Sequence, residues 1–419
     1  MKFKKQTEVI TLFEDKKTKI NLSKNQIDDL LYLKKLIGQQ NLIIEYDNSI
    51  QIRHYVGFFS KGNTRIQILP KIYENVENKE EEISGSTKVL FNMLRLSEYN
   101  KVLNLPNRIE TNLSDMDILE LFIGIYADQI INTYSRNMNR EYIDFEENSS
   151  FVKGKISFAD TIKKNVYRKD LHYIQYQSFE HDNLINNVIK SVAVFLINKT
   201  NVSDNKKKLK KALVFLDDAR EISLSQSIID SVKFTRLNEG FKTVFTMAKM
   251  FFVNSQPDHF IGEEPVFSFL IPVYDLFEHY VANLLKLDKS FNIIHGTKRN
   301  FVVTTSKKTF ASIKPDILVY QNNEVAYVLD TKYKNPKYVN GAFTKISSSD
   351  LYQIFSYSRI YGVNKIALIY PQFDDLDTES CTLNALDYKE NVKLSILSVD
   401  LKEFDFLKVR DKLINDILT

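Results

Sequence analysis

Up to Ile72 the chain alternates polar residues with β-branched and aromatic ones. KKQTEVITLFED, NLIIEYDNSIQIRHYVGFFS and NTRIQILPKI repeat at a period near two, the spacing of half-buried strands. Lys61-Gly62-Asn63, between two such runs, predicts a hairpin turn. SKNQIDDLLYLKKLI interrupts the strands as a helix with Leu30, Leu31, Leu33 and Ile37 on its apolar side. ENVENKEEEISGSTK, residues 74–88, is acidic and without period, which predicts a loop or linker.

Helical spacing of three and four then takes over in VLFNMLRLSEY, SDMDILELFIGIYADQIINTYSRNM, FEHDNLINNVIKSVAVFLINKT, SDNKKKLKKALVFLDD and GFKTVFTMAKMFFVN. Ser114, with Asp115 and Asp117 behind it, marks the start of the second of these. SFVKGKISF (150–158) predicts a short extended element bending at Gly154. From Pro265 the rhythm changes again. FSFLIPVYDLFEHYVANLLKL predicts one helix with Leu276, Phe277, Tyr280, Leu284 and Leu285 on its apolar stripe. NIIHG, FVVTT, DILVY and VAYVLDTKY read as strands, DLYQIFSYSRIYG as a helix and KIALIYP as a strand. That order predicts a mixed sheet covered by helices on both faces. The fold class expected is therefore multidomain, α/β and α+β: a β-rich segment over 1–82, a mainly helical one over 83–262 and an α/β domain over 263–419.

The chain has 419 residues, 43% hydrophobic and 26% charged, an ordinary composition for folded domains. A net charge of +4 admits a nucleic-acid partner without requiring one. The one cysteine, Cys381, leaves no intramolecular disulfide or thiolate zinc cluster to form, which points to a reducing cytoplasm. MKFKKQTEVITLFEDKKTK has no apolar leader, and charges interrupt every apolar run before membrane-spanning length.

Candidate chemistry concentrates in KPDILVYQNNEVAYVLDTKYK, residues 314–334. DILVY and VAYVL around the polar QNNE turn make a β-hairpin. Asp316 enters its first strand, and Asp330 and Lys332 leave the second; two residues apart, they point the same way. Two carboxylates on a rigid scaffold suit a hard divalent cation such as Mg²⁺. Such a cation polarises a phosphodiester and acidifies water, while a lysine beside it orients the nucleophile or stabilises charge. The plain structural alternative is a pair of ordinary strand-end aspartates. Ending buried strands with DTK costs desolvation unless a partner compensates, which favours chemistry.

PD…DTK between two strands resembles the PD-(D/E)XK nuclease superfamily, and the wider set of features resembles its McrC branch, the nuclease subunit of modification-dependent restriction systems. The matching stretches are GNTRIQILPKI (62–72), NREYIDFEENSSFVKGKIS (139–157), FEHDNLINNVIK (179–190), FSFLIPVYDLFEHYVANLL (267–285), PDILVY to VLDTKYK (315–334) and DLYQIFSYSRIYGVNKIALIYP (350–371). The residue before TK is Asp where the superfamily more often has Glu. The resemblance implies metal ligation by Asp316 and Asp330 and a catalytic role for Lys332. It also implies a supporting metal-site role for Glu278 on the preceding helix and a water- or phosphate-positioning role for Gln353 on the following one. A solvated carboxylate and a surface amide are the plain readings of those last two. Tyr352 is expected against the sheet, and Tyr333 and Lys334 near a DNA backbone. The cofactor implied is Mg²⁺ or Mn²⁺, and the substrate double-stranded DNA.

No GxxxxGK[ST] occurs; VKGKIS lacks the upstream glycine and a Ser or Thr directly after Lys155. The resemblance therefore implies a separate McrB-like AAA+ GTPase or ATPase motor in a hetero-oligomer. The amino-terminal hairpin QIRHYVGFFSKGNTRIQILPK is a candidate motor contact, with a solvated hairpin as the alternative. KKKLKK (206–211) reads first as a solvated helix face and second as a phosphate contact. His172, His181 and His279 fit no zinc spacing and read as structural or surface residues. Nothing resembles a Ser-His-Asp arrangement or a dinucleotide fingerprint. The function expected is a Mg²⁺-dependent DNA endonuclease subunit of a restriction or phage-defence system. A stand-alone repair or recombination nuclease, and a non-cutting scaffold that activates a motor ring, are the alternatives.

Overall fold

The computed structural model describes residues 9–62, 64–73, 78–103, 105, 117–255, 266–303, 309–336, 338–339, 342–343, 346–373, 381–385 and 392–418. Packing divides the chain into two units, one of 7–118 with 268–419 and one of 119–267. The expected amino-terminal β segment and the expected carboxy-terminal α/β segment thus share a unit.

In the first unit a four-stranded sheet runs Val9–Phe13, Thr64–Leu69, Tyr55–Lys61, Val266–Pro272. Thr64–Leu69 is buried along its whole length, as a central strand should be. Lys61 pairs with Thr64, so the turn is where the sequence put it, with Gly62 at φ +54°; Asn63 lies outside the described residues. Gly57 has φ +131°, and a Cβ there would lie 2.0 Å from the Phe269 carbonyl oxygen, so the neighbouring strand can pass only a glycine. The Lys24–Ile37 helix starts on a Ser23/Gln26 capping box and buries Leu30, Leu33 and Ile37, while Leu31 is exposed.

Two expectations about this unit need correcting. The acidic run is not a linker: a helix spans Lys79–Arg95, with Asn78 accepting from the Glu80 amide at its start and Glu80, Glu81 and Glu82 in its first turn. Carboxylates there complement the helix dipole, so an aperiodic acidic run was the first turn of the helix carrying Val89, Leu90, Met93 and Leu94 inward. Nor is FSFLIPVYDLFEHYVANLLKL one helix. Val266–Pro272 is a strand and the helix runs Val273–Leu285. Pro272 has no amide hydrogen to give and holds the residue before it extended, which separates the two.

A six-stranded mixed sheet forms the rest of the unit, in the order Asn292–His295, Ile317–Gln321, Glu324–Thr331, Lys365–Pro371, Val392–Val399, Cys381–Ala385. The central pairings are parallel and the outer ones antiparallel. Leu318, Val328, Ile366, Leu368, Leu394 and Ile396 form a core with Ile354 and Tyr357 of the Ser348–Tyr361 helix. Residues of the other parity, Ile317, Leu329 and Ile369, are equally buried, so both faces are covered as expected.

The second unit gathers helices Ile118–Tyr134, Leu184–Lys199, Ser203–Val214 and Lys242–Asn254. Tyr126 donates to the Ile189 carbonyl oxygen at 3.0 Å and packs on Phe251 at 5.4 Å. Ser114 and Asp115, the expected helix start, lie outside the described residues; Asp117 just precedes the helix. The unit is not purely helical. Glu141–Ser149 and His172–Glu180 pair over nine residues each, with Lys155–Ile156 beside them after Gly154 at φ +72°. Both faces of Glu141–Ser149 are largely exposed, so no apolar alternation announced it. FEHDNLINNVIK divides: Glu180 ends a strand, and Asn183 caps the helix that follows by accepting from the Asn186 amide. Among the described residues, no helix is long and apolar enough to cross a membrane.

Candidate functional site

The hairpin is built as its residues dictate. Asn322 and Asn323 both adopt left-handed backbone (φ +51° and +66°), as a two-residue turn matched to strand twist needs, and Asn tolerates it best after Gly. Leu318 faces Val328 across the pair, and the alternation carries Asp316, Asp330 and Lys332 to the sheet face that packs on the Ser348–Tyr361 helix. The three residues predicted from the sequence therefore converge.

Asp316 Oδ2 accepts from the Thr331 amide and hydroxyl, both at 2.7 Å, which ties the start of one strand to the end of the other. Burial pushes the Asp316 carboxyl up to about 7, helped by the negative charges of Asp330 and Glu278 and opposed by the Thr331 bonds. Asp330 is fully buried, and burial raises its carboxyl too, against the pull of Lys332. The Lys332 ammonium lies 2.6 Å from Asp330 Oδ2 as an ion pair, but off hydrogen-bonding alignment; among the described residues neither Asp330 oxygen has an aligned donor. Two buried carboxylates, Asp330 paired with the Lys332 ammonium, form an oxygen-only donor set of the kind that suits a hard divalent cation. Among the described residues no group of three or more His, Cys, Asp or Glu is arranged to hold a metal. Mg²⁺ is content with one or two carboxylates and completes its shell with water or phosphate oxygens, so two suffice.

Lys332 is held from two sides. Burial disfavours its ammonium, but Asp330 together with the charges of Asp316 and Asp350 outweighs this and keeps its pKa above the usual lysine value. Its Nζ also donates to Gln353 Oε1 at 2.9 Å; Gln353 Nε2 donates to the Tyr357 hydroxyl at 2.8 Å, and Tyr357 donates to the Lys314 carbonyl oxygen at 3.2 Å. Gln353 thus touches the site through Lys332. Asp350 lies 4.0 Å from Lys332 and accepts from Lys334 at 2.8 Å.

Glu278 reaches the same region from the Val273–Leu285 helix. Its Oε1 is 2.8 Å from His295 Nε2; burial raises the carboxyl, and the His295 contact more than reverses that. It contributes negative charge to both aspartates. His279, expected to be a structural or surface residue, stacks edge-on to His295 at 4.7 Å.

Tyr352 does not pack on the sheet: it is 73% exposed, and Tyr357 is the tyrosine that turns inward. Tyr333 lodges edge-on between Phe277 (5.7 Å) and Phe373 (6.0 Å), and Lys334 is exposed and paired with Asp350. Sequence reasoning passed over Asp350, Tyr357 and His295. Asp350, Gln353 and Tyr357 are three and four apart, so a helical wheel would have put the first and last beside the glutamine. His295 closes an edge strand and carried no signal. In the amino-terminal hairpin the cations are engaged within the unit: Lys61 with Asp29 (2.7 Å), Arg65 with Asp117 (3.5 Å), Lys71 with Asp15 (3.0 Å).

The family model for the McrBC 5-methylcytosine restriction system component matches residues 50–371. No curated protein matches the chain significantly. Among solved structures, a chain of the refined half-complex from the tetradecameric assembly of Thermococcus gammatolerans McrB AAA+ hexamers with bound McrC is similar in fold. Its TM-score is 0.76 at 23% identity, covering 98% of this chain and 100% of that one. A chain of the cryo-EM structure of the Thermococcus gammatolerans McrBC complex is similar over 67% of this chain and 89% of that one. Its TM-score is 0.52 at 24% identity.

Proposed function

The chain belongs to the McrBC 5-methylcytosine restriction system component family, and from that membership we propose that it is the DNA-cutting subunit, with a Mg²⁺-dependent PD-(D/E)XK centre at Asp316, Asp330 and Lys332. The observation that carries the reading is the convergence of these three side chains with Asp330 buried and without an aligned hydrogen-bond donor.

Asp316 and Asp330 would hold the cation, with Glu278 supporting the charge balance from the neighbouring helix. When bound, a divalent cation polarises the scissile phosphodiester and lowers the pKa of water beside it. Lys332, an ammonium at neutral pH, supplies a positive charge and a hydrogen-bond donor to the charge that develops on the phosphoryl oxygens. Gln353 holds that ammonium in place and Tyr357 holds Gln353. Thr331, donating to Asp316 Oδ2 from its amide and its hydroxyl, would hold that carboxylate in one orientation when a cation is bound.

The chain carries no P-loop signature, so energy for movement along DNA comes from a separate AAA+ motor, as the McrB hexamers accompany McrC in the Thermococcus gammatolerans assembly. Purified complex with Asp330→Ala keeps nucleotide hydrolysis and loses DNA cleavage. Cleavage at the wild-type rate would refute the site.

A further inference from the structure

We propose that the outward face of the Ser203–Val214 helix is a DNA-backbone contact, with Lys206, Lys207, Lys210 and Lys211 reaching phosphates from the unit that does not contain the hairpin site. The proposal rests on the reading of this chain as acting on DNA, and it names where a second part of the duplex is held.

The helix turns two different sides to its surroundings. Asn205, Leu209 and Ala212 are buried, and Lys208 pairs with Asp128 at 2.8 Å; together they fix the helix to its unit. The remaining four lysines are exposed, and among the described residues none of their ammonium groups has a hydrogen-bond or ion-pair partner. They therefore do nothing for the packing of the unit. Their spacing is also unfavourable to the helix itself. Lys206 with Lys210, and Lys207 with Lys211, are four apart, and Lys207 with Lys210 three apart, positions at which like charges repel. The first two stand near the amino end, where the helix dipole disfavours cations.

A merely solvated face normally mixes signs, as the Phe406–Leu418 helix does with Lys408, Arg410, Asp411, Lys412 and Asp416. The Ser203–Val214 helix has one acid, Asp204, in its first turn. A one-sign face becomes favourable when a polyanion covers it, because each neutralised phosphate releases condensed counterions. Lysine is a compact point charge suited to phosphate oxygens, and contacts to the backbone position a duplex without reading its sequence. The contact is expected to be independent of sequence and of base modification.

The test uses the full chain and a fluorescent unmodified DNA duplex, with anisotropy titrations in EDTA over a range of KCl concentrations. Lys206→Gln, Lys207→Gln, Lys210→Gln and Lys211→Gln together keep helix propensity while removing four charges. The dependence of log K on log salt should become shallower by about two to four, near 0.9 per lost phosphate contact, and affinity at moderate salt should fall at least tenfold. Lys208→Gln, the paired lysine, should leave the slope unchanged. An unchanged slope and affinity in the quadruple variant with an intact thermal melt overturns the proposal. So does wild-type chain that fails to bind the duplex at low salt, or a variant whose only defect is in binding a protein partner. DNA binding that depends on these lysines in a chain that never cuts supports the contact and counts against the nuclease reading alone. Cleavage that ignores the lysines does the reverse.

Discussion

Gln353 accepts a hydrogen bond from Lys332 at 2.9 Å, although 21 residues and a change from strand to helix separate them. The ammonium, 2.6 Å from Asp330, is thereby held by a second partner, and the amide is pinned in turn by Tyr357. This ordering has a measurable hierarchy. Lys332→Ala should abolish cleavage. Gln353→Leu, which frees the ammonium to swing, should cost about 10- to 100-fold in single-turnover rate, in line with other supporting residues around metal sites. Tyr357→Phe removes the acceptor for Gln353 Nε2 together with the bond to the Lys314 carbonyl oxygen, leaves the Lys332–Gln353 bond in place, and should cost less than Gln353→Leu. A Tyr357→Phe variant as dead as Lys332→Ala, with an unaltered melt, would break the proposed chain of support.

The two buried carboxylates make the site a local weak point without a cation. Asp316→Asn can still accept from Thr331 through its amide oxygen, yet it removes the repulsion with Asp330. In EDTA the variant should be more stable than wild type by on the order of 1–3 kcal/mol near neutral pH. Mg²⁺ should raise the melting temperature of wild type and not that of the variant. Melting curves with and without Mg²⁺ decide this; a variant less stable than wild type in EDTA contradicts it.

Gly57 is a strict requirement of the four-stranded sheet. Gly57→Ala places a methyl group against the Phe269 carbonyl oxygen at a φ that L residues rarely adopt. The expected loss is about 3 kcal/mol or more. Gly362, the left-handed cap of the Ser348–Tyr361 helix with no atom near its missing Cβ, should accept Asn at a cost of about 1 kcal/mol or less. Urea midpoints for the two variants compare them directly, and equal losses would be against the account.

Glu14 offers a pH signature in the same sheet. Burial raises its carboxyl above the ordinary 4.5, with the Lys71 charge only partly opposing. A raised folded-state pKa contributes stability that is complete below the unfolded value and fades as pH climbs through the folded one. Glu14→Gln should therefore gain on wild type as pH is taken from about 4 to about 7, and the gap should then level off. Denaturant titrations across that range would show it, and a gap that narrows with rising pH is the contrary result.

Much of the site was legible because it is local. Asp330 and Lys332 are two apart and share a face by strand period alone, whereas Asp316 joins them through a bulge that shifts the pairing from Tyr320↔Val325 to Val319↔Tyr327. The Asn-Asn turn and the buried runs on either side marked the hairpin itself, while the bulge that brings Asp316 opposite Asp330 carried no signal in the sequence. The Val266–Pro272 strand was missed for the opposite reason. VFSFLIP runs into the amphipathic VYDLFEHY with only Pro272 to mark the boundary, and pairing with Tyr55–Lys61, more than 200 positions earlier, makes its first half a strand. Glu141–Ser149 escaped because a strand exposed on both faces has no buried side to set a pattern, and its partner His172–Glu180 buries only Ile174.

By itself the sequence determined the hairpin, the carboxylates and lysine it carries, the absence of a nucleotide-binding loop and the anchored helix with its run of lysines. Covalent spacing and backbone period are sufficient for each of these. The tertiary structure decided that Asp330 is sealed from water, that Glu278 is engaged by His295, and that Gln353 rather than Tyr352 turns toward Lys332. Burial and contact between distant segments depend on how strands are ordered and where helices dock, which is a property of the whole packed unit rather than of any stretch within it.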